Sequence, residues 1–257
     1  IKEELQGIRD IITEKLNSGP AAASLLRKVD VCGGKMIRPS LLLLSGRAVT
    51  DKKNPADEKQ LLTAAAVIEM IHNATLLHDD VLDNDSKRRG RATLNKISGN
   101  ESAILLGDYI LSCVFELSVK LSSQTFSVIA SGSRKVCEGE LRQVMSKAEY
   151  DITEEEYLTI IENKSATLFG ISCRLGAMLS GAAQQQTEMF EQFGTEAGVA
   201  FQINDDLADI INMENPADKT CGSDIRDRKP TLPLIHLLAT AAPADRIQIL
   251  NMLKDPE

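Results

Sequence analysis

Two short segments of the chain carry three aspartates each at the same spacing. They are Asp79, Asp80 and Asp83 in "HDDVLD", and Asp205, Asp206 and Asp209 in "INDDLAD". On a helix, residues four apart lie one turn apart on one face, with the next residue beside them, so each pattern predicts three crowded carboxylates. Like charges repel at this spacing, and an all-oxygen set selects a hard cation such as Mg²⁺. A solvated helix end is the alternative for either triplet alone.

The second triplet lies among apolar residues, which a solvated helix end does not explain. Phe201 and Ala208 flank it, and Gln202 precedes Asp205 by three residues, on the same face of a helix. Two such triplets that face each other would form a cage for several Mg²⁺ ions. Because Mg²⁺ keeps waters and bridges carboxylates to phosphates, the pair predicts a diphosphate ligand.

Basic residues follow the first triplet and also occur near the N-terminus. "SKRRGR" contains Arg88 and Arg89, and "CGGKMIRPS" places Lys35 and Arg38 after two glycines. Arginine presents a fork that matches phosphate oxygens, so both segments predict anion binding, with ordinary surface charge as the alternative. Further candidate lysines are Lys164, Lys219 and Lys229.

His72 lies seven residues before Asp79, two turns away on the same face. A histidine in this place is either a structural hydrogen-bonding residue or part of the site.

The elements that must position these residues are helical. Apolar residues recur at three- and four-residue spacing over 61–71, after Asn54 as a helix cap and Pro55 at the first helical position. Thr153 and Glu156 form a capping box pattern before another apolar series. A third series over 187–211 is stopped by Pro216, and its apolar stripe contains Phe190, Phe193, Ala197, Phe201 and Ala208. No alternating strand pattern stands out, so the sequence predicts an all-α fold in a single large domain, 1–257.

Composition excludes several classes of function. The net charge is −8 and 4% of residues are aromatic, with no tryptophan, which argues against nucleic-acid binding. The five cysteines are scattered with no CxxC pair, as in a reduced, cytoplasmic protein without a zinc site. No apolar run approaches the ~20 residues of a membrane span.

Together these motifs resemble those of the trans-polyprenyl diphosphate synthases. Gly33–Pro39 is similar to the family's GGKRxRP, with Met36 in place of an arginine, and Asp79–Gly90 to its first aspartate-rich motif with RRG. Lys164–Ala166 is similar to KTA, with Ser165 for threonine. Gln202–Asp209 matches the second aspartate-rich motif, and Gly222–Ile235 matches the downstream GxDxxxxKxTLPLI segment.

The resemblance implies an all-α isoprenoid synthase fold around a central cavity. It implies a Mg²⁺-dependent condensation of isopentenyl diphosphate with an allylic diphosphate, with Lys164, Asp79 and Asp205 as the catalytic residues. All six aspartates would bind several Mg²⁺ ions. The allylic diphosphate would be bound by Arg88, Lys164, Ser165, Gln202, Lys219 and Lys229. Isopentenyl diphosphate would be bound by Gly34, Lys35, Arg38, His72 and Arg89.

The product length remains open, and so do two alternative functions. Ala74 and Thr75, just before Asp79, leave the space beneath the first triplet without a bulky plug, which favours a hexaprenyl to decaprenyl product. A geranylgeranyl or farnesyl diphosphate synthase is the alternative, as is a non-catalytic subunit of a heteromeric synthase. A terpene cyclase would not be expected to carry GGKxxRP.

Family members are generally homodimers that continue through further C-terminal helices. The apolar helix over 103–121 suits either an interface or the core.

The chain-length assignment gives a first prediction. Ala74→Phe should shorten the product, because the aromatic ring would block the path of the growing tail. The product profile measured by chromatography tests it, and an unchanged profile would reject Ala74 as the floor of the cavity.

Overall fold

A computed structural model describes residues 1–31, 33–50, 55–147, 149–211 and 222–254, with no side chains at 55–57 and 254. The described chain is built almost wholly of helices, which confirms the predicted all-α fold. The first helices are α1 (Lys2–Leu16), α2 (Pro20–Leu26), α3 (Ile37–Val49), α4 (Pro55–Leu82), α5 (Leu94–Ser98), α6 (Asn100–Ser118) and α7 (Ser123–Met145). The later ones are α8 (Glu154–Ile161), a π-helical turn (Glu162–Ala166), α9 (Thr167–Leu179), α10 (Gln184–Ile211), α11 (Ser223–Arg226), α12 (Leu232–Thr240) and α13 (Pro243–Lys254).

The chain forms two compact units, each made of two separate segments. The first unit comprises Ile1–Ser133 and Leu168–Glu196, and the second comprises Arg134–Thr167 and Ala197–Glu257. The predicted single domain over 1–257 stays a prediction.

Helix α4 is the central helix of the first unit. Residues 64–71 are all buried, and three of them are alanines, which permit close approach of neighbouring helices. It packs most extensively against α6, and also against α1 and α3. Over Glu58–Leu82 it is long and apolar enough to cross a membrane, but 67% of that segment's most apolar window is buried within the protein, as in core helices.

Helix α6 has two different faces. One face, including Leu106, Ile110 and Val114, is buried. The opposite face leaves large apolar side chains exposed, with Leu105 at 66% and Phe115 at 62%. One face of the helix therefore belongs to the core, and an interface on the other face stays a prediction.

A π-helical turn separates α8 from α9. The predicted capping box is present: the Thr153 side chain accepts from the Glu156 backbone, and the Glu156 carboxylate accepts from the Thr153 backbone. In the turn, the Thr167 backbone N–H donates to the Glu162 carbonyl, five residues back. Such turns insert one residue into a helix and are frequent at functional sites.

A two-stranded hairpin, which the sequence reading did not predict, follows the first triplet. Strands β1 (Lys87–Arg88) and β2 (Arg91–Ala92) pair in antiparallel fashion. Arg89 and Gly90 form the turn with φ of 51° and 75°. Positive φ at both central residues is the geometry of a type I′ turn, which matches the twist of the strands.

Helix α10 ends at Ile211, and the predicted stop at Pro216 and cap at Asn54 lie outside the described residues. Its predicted apolar stripe is wrong in part, because Phe193 and Phe201 are 59% and 44% exposed. The helix carries Asp206 and Asp209 on its buried side, and these aromatic rings project from another side. Cys113, Cys137 and Cys173 are free thiols, as expected.

Candidate active site

Asp80 lies near the C-terminal end of α4, where it is buried and held by Arg88. Its carboxylate is 4% exposed, and Arg88 Nε donates to Oδ1 at 2.6 Å. Burial raises the pKa of Asp80, and the charge and hydrogen bond of Arg88 oppose that shift. Arg88 Nη2 also lies 3.5 Å from Asp85 Oδ2. The acid and basic parts of the first motif are therefore tied together.

Two side chains after the hairpin fix its base to α4. Asn95 Nδ2 donates to the Asp80 carbonyl at 2.8 Å and to the Asp85 carbonyl at 3.1 Å. Thr93 Oγ1 also donates to the Asp85 carbonyl, at 2.7 Å. Since Thr93 and Asn95 are both buried, these bonds hold Arg88 and Arg89 in a defined place beside the triplet.

Asp79 and Asp83 are partly exposed on the adjacent face of α4. The Asp83 backbone N–H donates to the Asp79 carbonyl at 2.9 Å, so the two residues stand one turn apart as predicted. His78 packs instead on α6, with Nε2 3.2 Å from the Ile104 carbonyl. A Cβ on Gly107 would lie 2.2 Å from His78 Nε2, so this glycine lets the imidazole pack there.

A cavity of about 260 Å³ opens beside Asp80. Its polar walls include Asp80, Arg88 and Arg89, and its apolar walls include Leu77 and Leu94. Gly33 of the N-terminal glycine pair also lines it. Such a cavity suits a small molecule with an anionic group at one end and a short hydrocarbon at the other.

The N-terminal glycines lie against the hairpin. A Cβ on Gly34 would be 2.9 Å from Arg89 Nη2, so the backbone of Gly34 directly faces that guanidinium. Lys35 is exposed. Gly34 and Arg89, which the sequence assigns to one ligand, are thus brought together.

Arg38 is desolvated above an aromatic ring. Its guanidinium carbon lies 4.8 Å from the centroid of Phe169, and among the described residues its buried Nε has no hydrogen-bond partner. Burial lowers the pKa of Arg38 to about 10, against the charge of Glu69. Burial in turn raises the pKa of the 4%-exposed Glu69. A buried donor without a partner is suited to an incoming anion.

His72 is partly buried near three arginines. Burial, followed by the charges of Arg38, Arg89 and Arg88, holds the pKa of His72 well below its usual range. The imidazole is therefore neutral at pH 7. Thr75 Oγ1 donates to the His72 carbonyl at 2.8 Å, and Ala74 is 1% exposed.

Left-handed backbone conformations cluster in the predicted motifs. Over the described residues, the non-glycine positions with positive φ are Met36, Asn84, Arg89 and Arg228. Each adjoins or belongs to a motif with a predicted ligand. Such conformations cost about 1–3 kcal/mol each and concentrate at binding sites, so this clustering supports those assignments.

In the second unit, Asp206 and Asp209 are both buried, and Asp206 is held by side chains of two other residues. It is 6% exposed, and it accepts from Tyr157 Oη at 2.7 Å and from Gln202 Nε2 at 2.7 Å. Burial raises its pKa, and these two donors oppose the shift. Asp205 is exposed.

Asp209 anchors the segment that follows the second triplet. Its carboxylate accepts from Ser223 Oγ at 3.1 Å and from the backbone N–H groups of Ser223 and Asp224, at 3.3 Å and 3.2 Å. Burial, followed by the charge of Asp206, raises the pKa of Asp224 to about 7. Lys229 Nζ lies 3.8 Å from Asp227 Oδ2. Lys219 lies outside the described residues.

Lys164 lies in the π-helical turn and is held by α7. Its ammonium donates to Glu140 at 2.8 Å and 3.0 Å, and to Gln143 Oε1 at 2.7 Å. A Cβ on Gly139 would lie 2.4 Å from the Lys164 backbone nitrogen, so only glycine permits this approach. Ser165, the next residue, donates instead to Gln202 Oε1 at 2.6 Å.

Sequence reasoning missed the residues that hold the predicted ones. They are Glu69, Asn95, Glu140, Gln143, Tyr157, Phe169 and Asp224. Two sequence signals were present. Tyr157 precedes Lys164 by seven residues, and "EGELRQ" places a glycine, a carboxylate and an amide together on α7.

The donor set of the triplets fits Mg²⁺. Within the described residues, His, Cys, Asp and Glu side chains form no group of three that could hold a metal ion. Mg²⁺ usually needs only one or two carboxylates and completes its shell with waters and substrate phosphates. Asp79, Asp83 and Asp205, the more exposed acids, match that requirement.

The chain is similar to known proteins both in sequence and in fold. A family model described as polyprenyl synthetase matches residues 22–257. Octaprenyl diphosphate synthase of Escherichia coli (strain K12) is 37% identical over 243 residues, which cover 94% of this chain and 74% of that protein. Short chain isoprenyl diphosphate synthase of Methanothermobacter thermautotrophicus is 36% identical over 226 residues, covering 86% and 68%. The crystal structure of a polyprenyl synthase from Caulobacter crescentus CB15, complexed with calcium and isoprenyl diphosphate, matches with a TM-score of 0.90 at 31% identity, covering 100% of this chain and 78% of that chain.

The depressed pKa of His72 predicts that the histidine takes up a proton when a diphosphate binds, because the anion offsets the arginine charges. Calorimetric titration of isopentenyl diphosphate near pH 7, in two buffers of different ionisation enthalpy, should give more proton uptake for the wild type than for His72→Gln. Equal uptake by both proteins would contradict this protonation of His72 on binding.

The depressed pKa of His72 also means that, as the pH falls, the unfolded chain binds a proton at this residue before the folded chain does. The folding stability of the wild type should therefore fall more than that of His72→Gln as the pH drops below about 6.5.

Proposed function

Because the chain belongs to the polyprenyl synthetase family, and is a prenyltransferase, we propose that it is a Mg²⁺-dependent trans-polyprenyl diphosphate synthase. It condenses isopentenyl diphosphate with an allylic diphosphate. The observation that carries the proposal is the cavity in which Asp80 and Arg88 of the first motif meet Arg89 and Gly33. Acidic and basic groups of the first motif thereby line one amphiphilic space together with Gly33 of the N-terminal motif.

Isopentenyl diphosphate is bound by the basic groups of the first unit. Arg38, with its partnerless buried Nε, and Arg89, beside Gly34, donate to the diphosphate oxygens. Lys35 adds charge, and neutral His72 contributes a hydrogen bond and then a proton. The leucines of the cavity wall exclude water from the double bond.

The allylic diphosphate is bound by the remaining motif residues. They are Arg88, Lys164, Ser165, Gln202, Lys219 and Lys229. The six aspartates of the triplets hold Mg²⁺, which supplies positive charge against the diphosphate as it departs. Glu140 and Gln143 fix the Lys164 ammonium in advance, so little reorganisation is needed as negative charge develops.

The reaction needs no side-chain nucleophile. The allylic C–O bond breaks, both electrons leave with the diphosphate, and the isopentenyl double bond attacks the resulting carbocation. A proton is then lost to the released diphosphate. Charge stabilisation and positioning by these residues are therefore sufficient for catalysis.

Product length is proposed from the helix beneath the first triplet. Ala74 and Thr75 place no aromatic ring there, which supports a hexaprenyl to decaprenyl product. The octaprenyl diphosphate synthase relative agrees with a long product, while the short-chain relative has nearly the same identity.

We also propose a cytoplasmic homodimer. The exposed apolar face formed by Ile104, Leu105 and Phe115 of α6, and by Val119 directly after the helix, supports an interface between two copies of the chain. Localisation in the cytoplasm suits the free cysteines.

Turnover tests the proposed activity. Incubation with isopentenyl diphosphate, farnesyl diphosphate and Mg²⁺ should release diphosphate, and EDTA should abolish the release. Asp205→Asn should lower kcat by about 10²–10³, by analogy with the loss of one group that stabilises developing charge. Asp10→Asn, at an exposed acid of α1, is the matched control and should be unaffected. A wild-type chain that does not turn over would favour the non-catalytic subunit.

Disruption of the α6 face tests the assembly. Phe115→Glu should convert a dimer to a monomer in analytical ultracentrifugation, because burying a carboxylate in an apolar interface is unfavourable. Met189→Glu is the control, since Met189 is 63% exposed on α10 and lies outside that face. A wild-type monomer, or a Phe115→Glu dimer, would contradict the assignment.

A further inference from the structure

A continuous chain of hydrogen bonds runs through the second unit from Tyr157 to Ser165. Tyr157 Oη donates to Asp206 Oδ2 at 2.7 Å, and Gln202 Nε2 donates to Asp206 Oδ1 at 2.7 Å. Ser165 Oγ donates to Gln202 Oε1 at 2.6 Å. The chain therefore joins α8, the π-helical turn and α10 at the second triplet.

The donor and acceptor atoms of the four side chains fix the direction of each hydrogen bond in this network. Both oxygens of Asp206 accept a hydrogen bond, so the amide nitrogen of Gln202 must face Asp206 and its oxygen must face Ser165. Ser165 has one hydroxyl hydrogen and uses it on Gln202. An amide nitrogen has two N–H groups, and Asp206 takes one of them.

We propose that Tyr157 is a positioning residue for the allylic diphosphate, resting on the function proposed above. Its phenol fixes the Asp206 carboxylate, which fixes the Gln202 amide, and the second N–H of Gln202 binds the substrate diphosphate or a water between them. Ser165 acts through Gln202, because its hydroxyl donates to the amide oxygen and so fixes the orientation of the amide. The direct contact is thereby assigned to Gln202, and Ser165 orients it.

The surroundings of Tyr157 suit a fixed donor. The side chain is 3% exposed, and α8 begins at the Thr153–Glu156 capping box, which sets the register of the helix. The phenol O–H of Tyr157 is a donor at neutral pH, and its short bond to Asp206 uses that hydrogen. Loss of that donor would leave a buried carboxylate oxygen unsatisfied, and Asp206 would shift to regain a partner.

Tyr157→Phe tests the inference by removing only the hydroxyl. The KM for the allylic diphosphate should rise about tenfold, the scale of a lost hydrogen bond to a charged group, while the KM for isopentenyl diphosphate stays unchanged. Calorimetric binding of farnesyl thiodiphosphate with Mg²⁺ should weaken by the same factor. The matched control is Tyr150→Phe, which removes a hydroxyl that donates to the Leu253 carbonyl at 3.4 Å in the same unit. It should leave both KM values and the binding unchanged.

A double-mutant cycle separates coupling from general loosening of the unit. Ser165→Ala should raise the allylic KM in the wild type but add little in the Tyr157→Phe background, because both act through Gln202. Three results would overturn the inference and leave the proposed function intact. They are multiplicative effects of the two substitutions on the allylic KM, equal rises in both KM values, and a Tyr157→Phe protein that binds the thiodiphosphate like Tyr150→Phe. A wild-type protein that neither binds the thiodiphosphate nor turns over would overturn both.

Discussion

Three carboxylates at positions i, i+1 and i+4 of a helix cannot all face the same way, and this constraint shapes both triplets. The second aspartate is rotated by about 100° from the first. In each triplet that rotation buries it: Asp80 is 4% exposed and Asp206 is 6% exposed. A buried carboxylate requires donors: Arg88 supplies one to Asp80, and Tyr157 and Gln202 supply them to Asp206. The middle aspartates therefore anchor their surroundings, as does the buried Asp209, whereas Asp79, Asp83 and Asp205 are more accessible.

The anchors differ in chemistry but have the same effect on their neighbours. Asp80 is held by the guanidinium of Arg88, and its backbone carbonyl by Asn95, so the hairpin with Arg89 is fixed to α4. Asp206 is held by neutral donors, Tyr157 and Gln202. Arginine offsets the charge of one carboxylate, whereas neutral donors leave the charge of the other in place. In the proposed function, lysines and Mg²⁺ would supply positive charge at the second triplet.

Much of the site was predictable because its signals are local. The aspartate spacing, the glycine pair before Lys35 and the capping box at Thr153 each follow from residues within one turn, and the structure places them accordingly. The partners of Lys164 and Asp206 were not predictable, because Glu140 and Tyr157 come from other helices. The type I′ turn was missed because Arg89 takes a conformation that glycine or asparagine usually supplies. The exposure of Phe193 and Phe201 shows that an apolar stripe does not identify which neighbour, if any, covers it.

The π-helical turn at Glu162–Ala166 has a consequence for comparing variants of this chain. One extra residue in the turn rotates everything downstream by about 100° relative to a regular helix. A single deletion there would let α8 run into α9 as one uninterrupted helix of ordinary pitch. The apolar faces of α8 and α9 would be rotated relative to each other. Lys164 would no longer reach α7 while Ser165 reaches α10. Length variation of one residue at this point would therefore change chemistry while leaving helix content nearly the same.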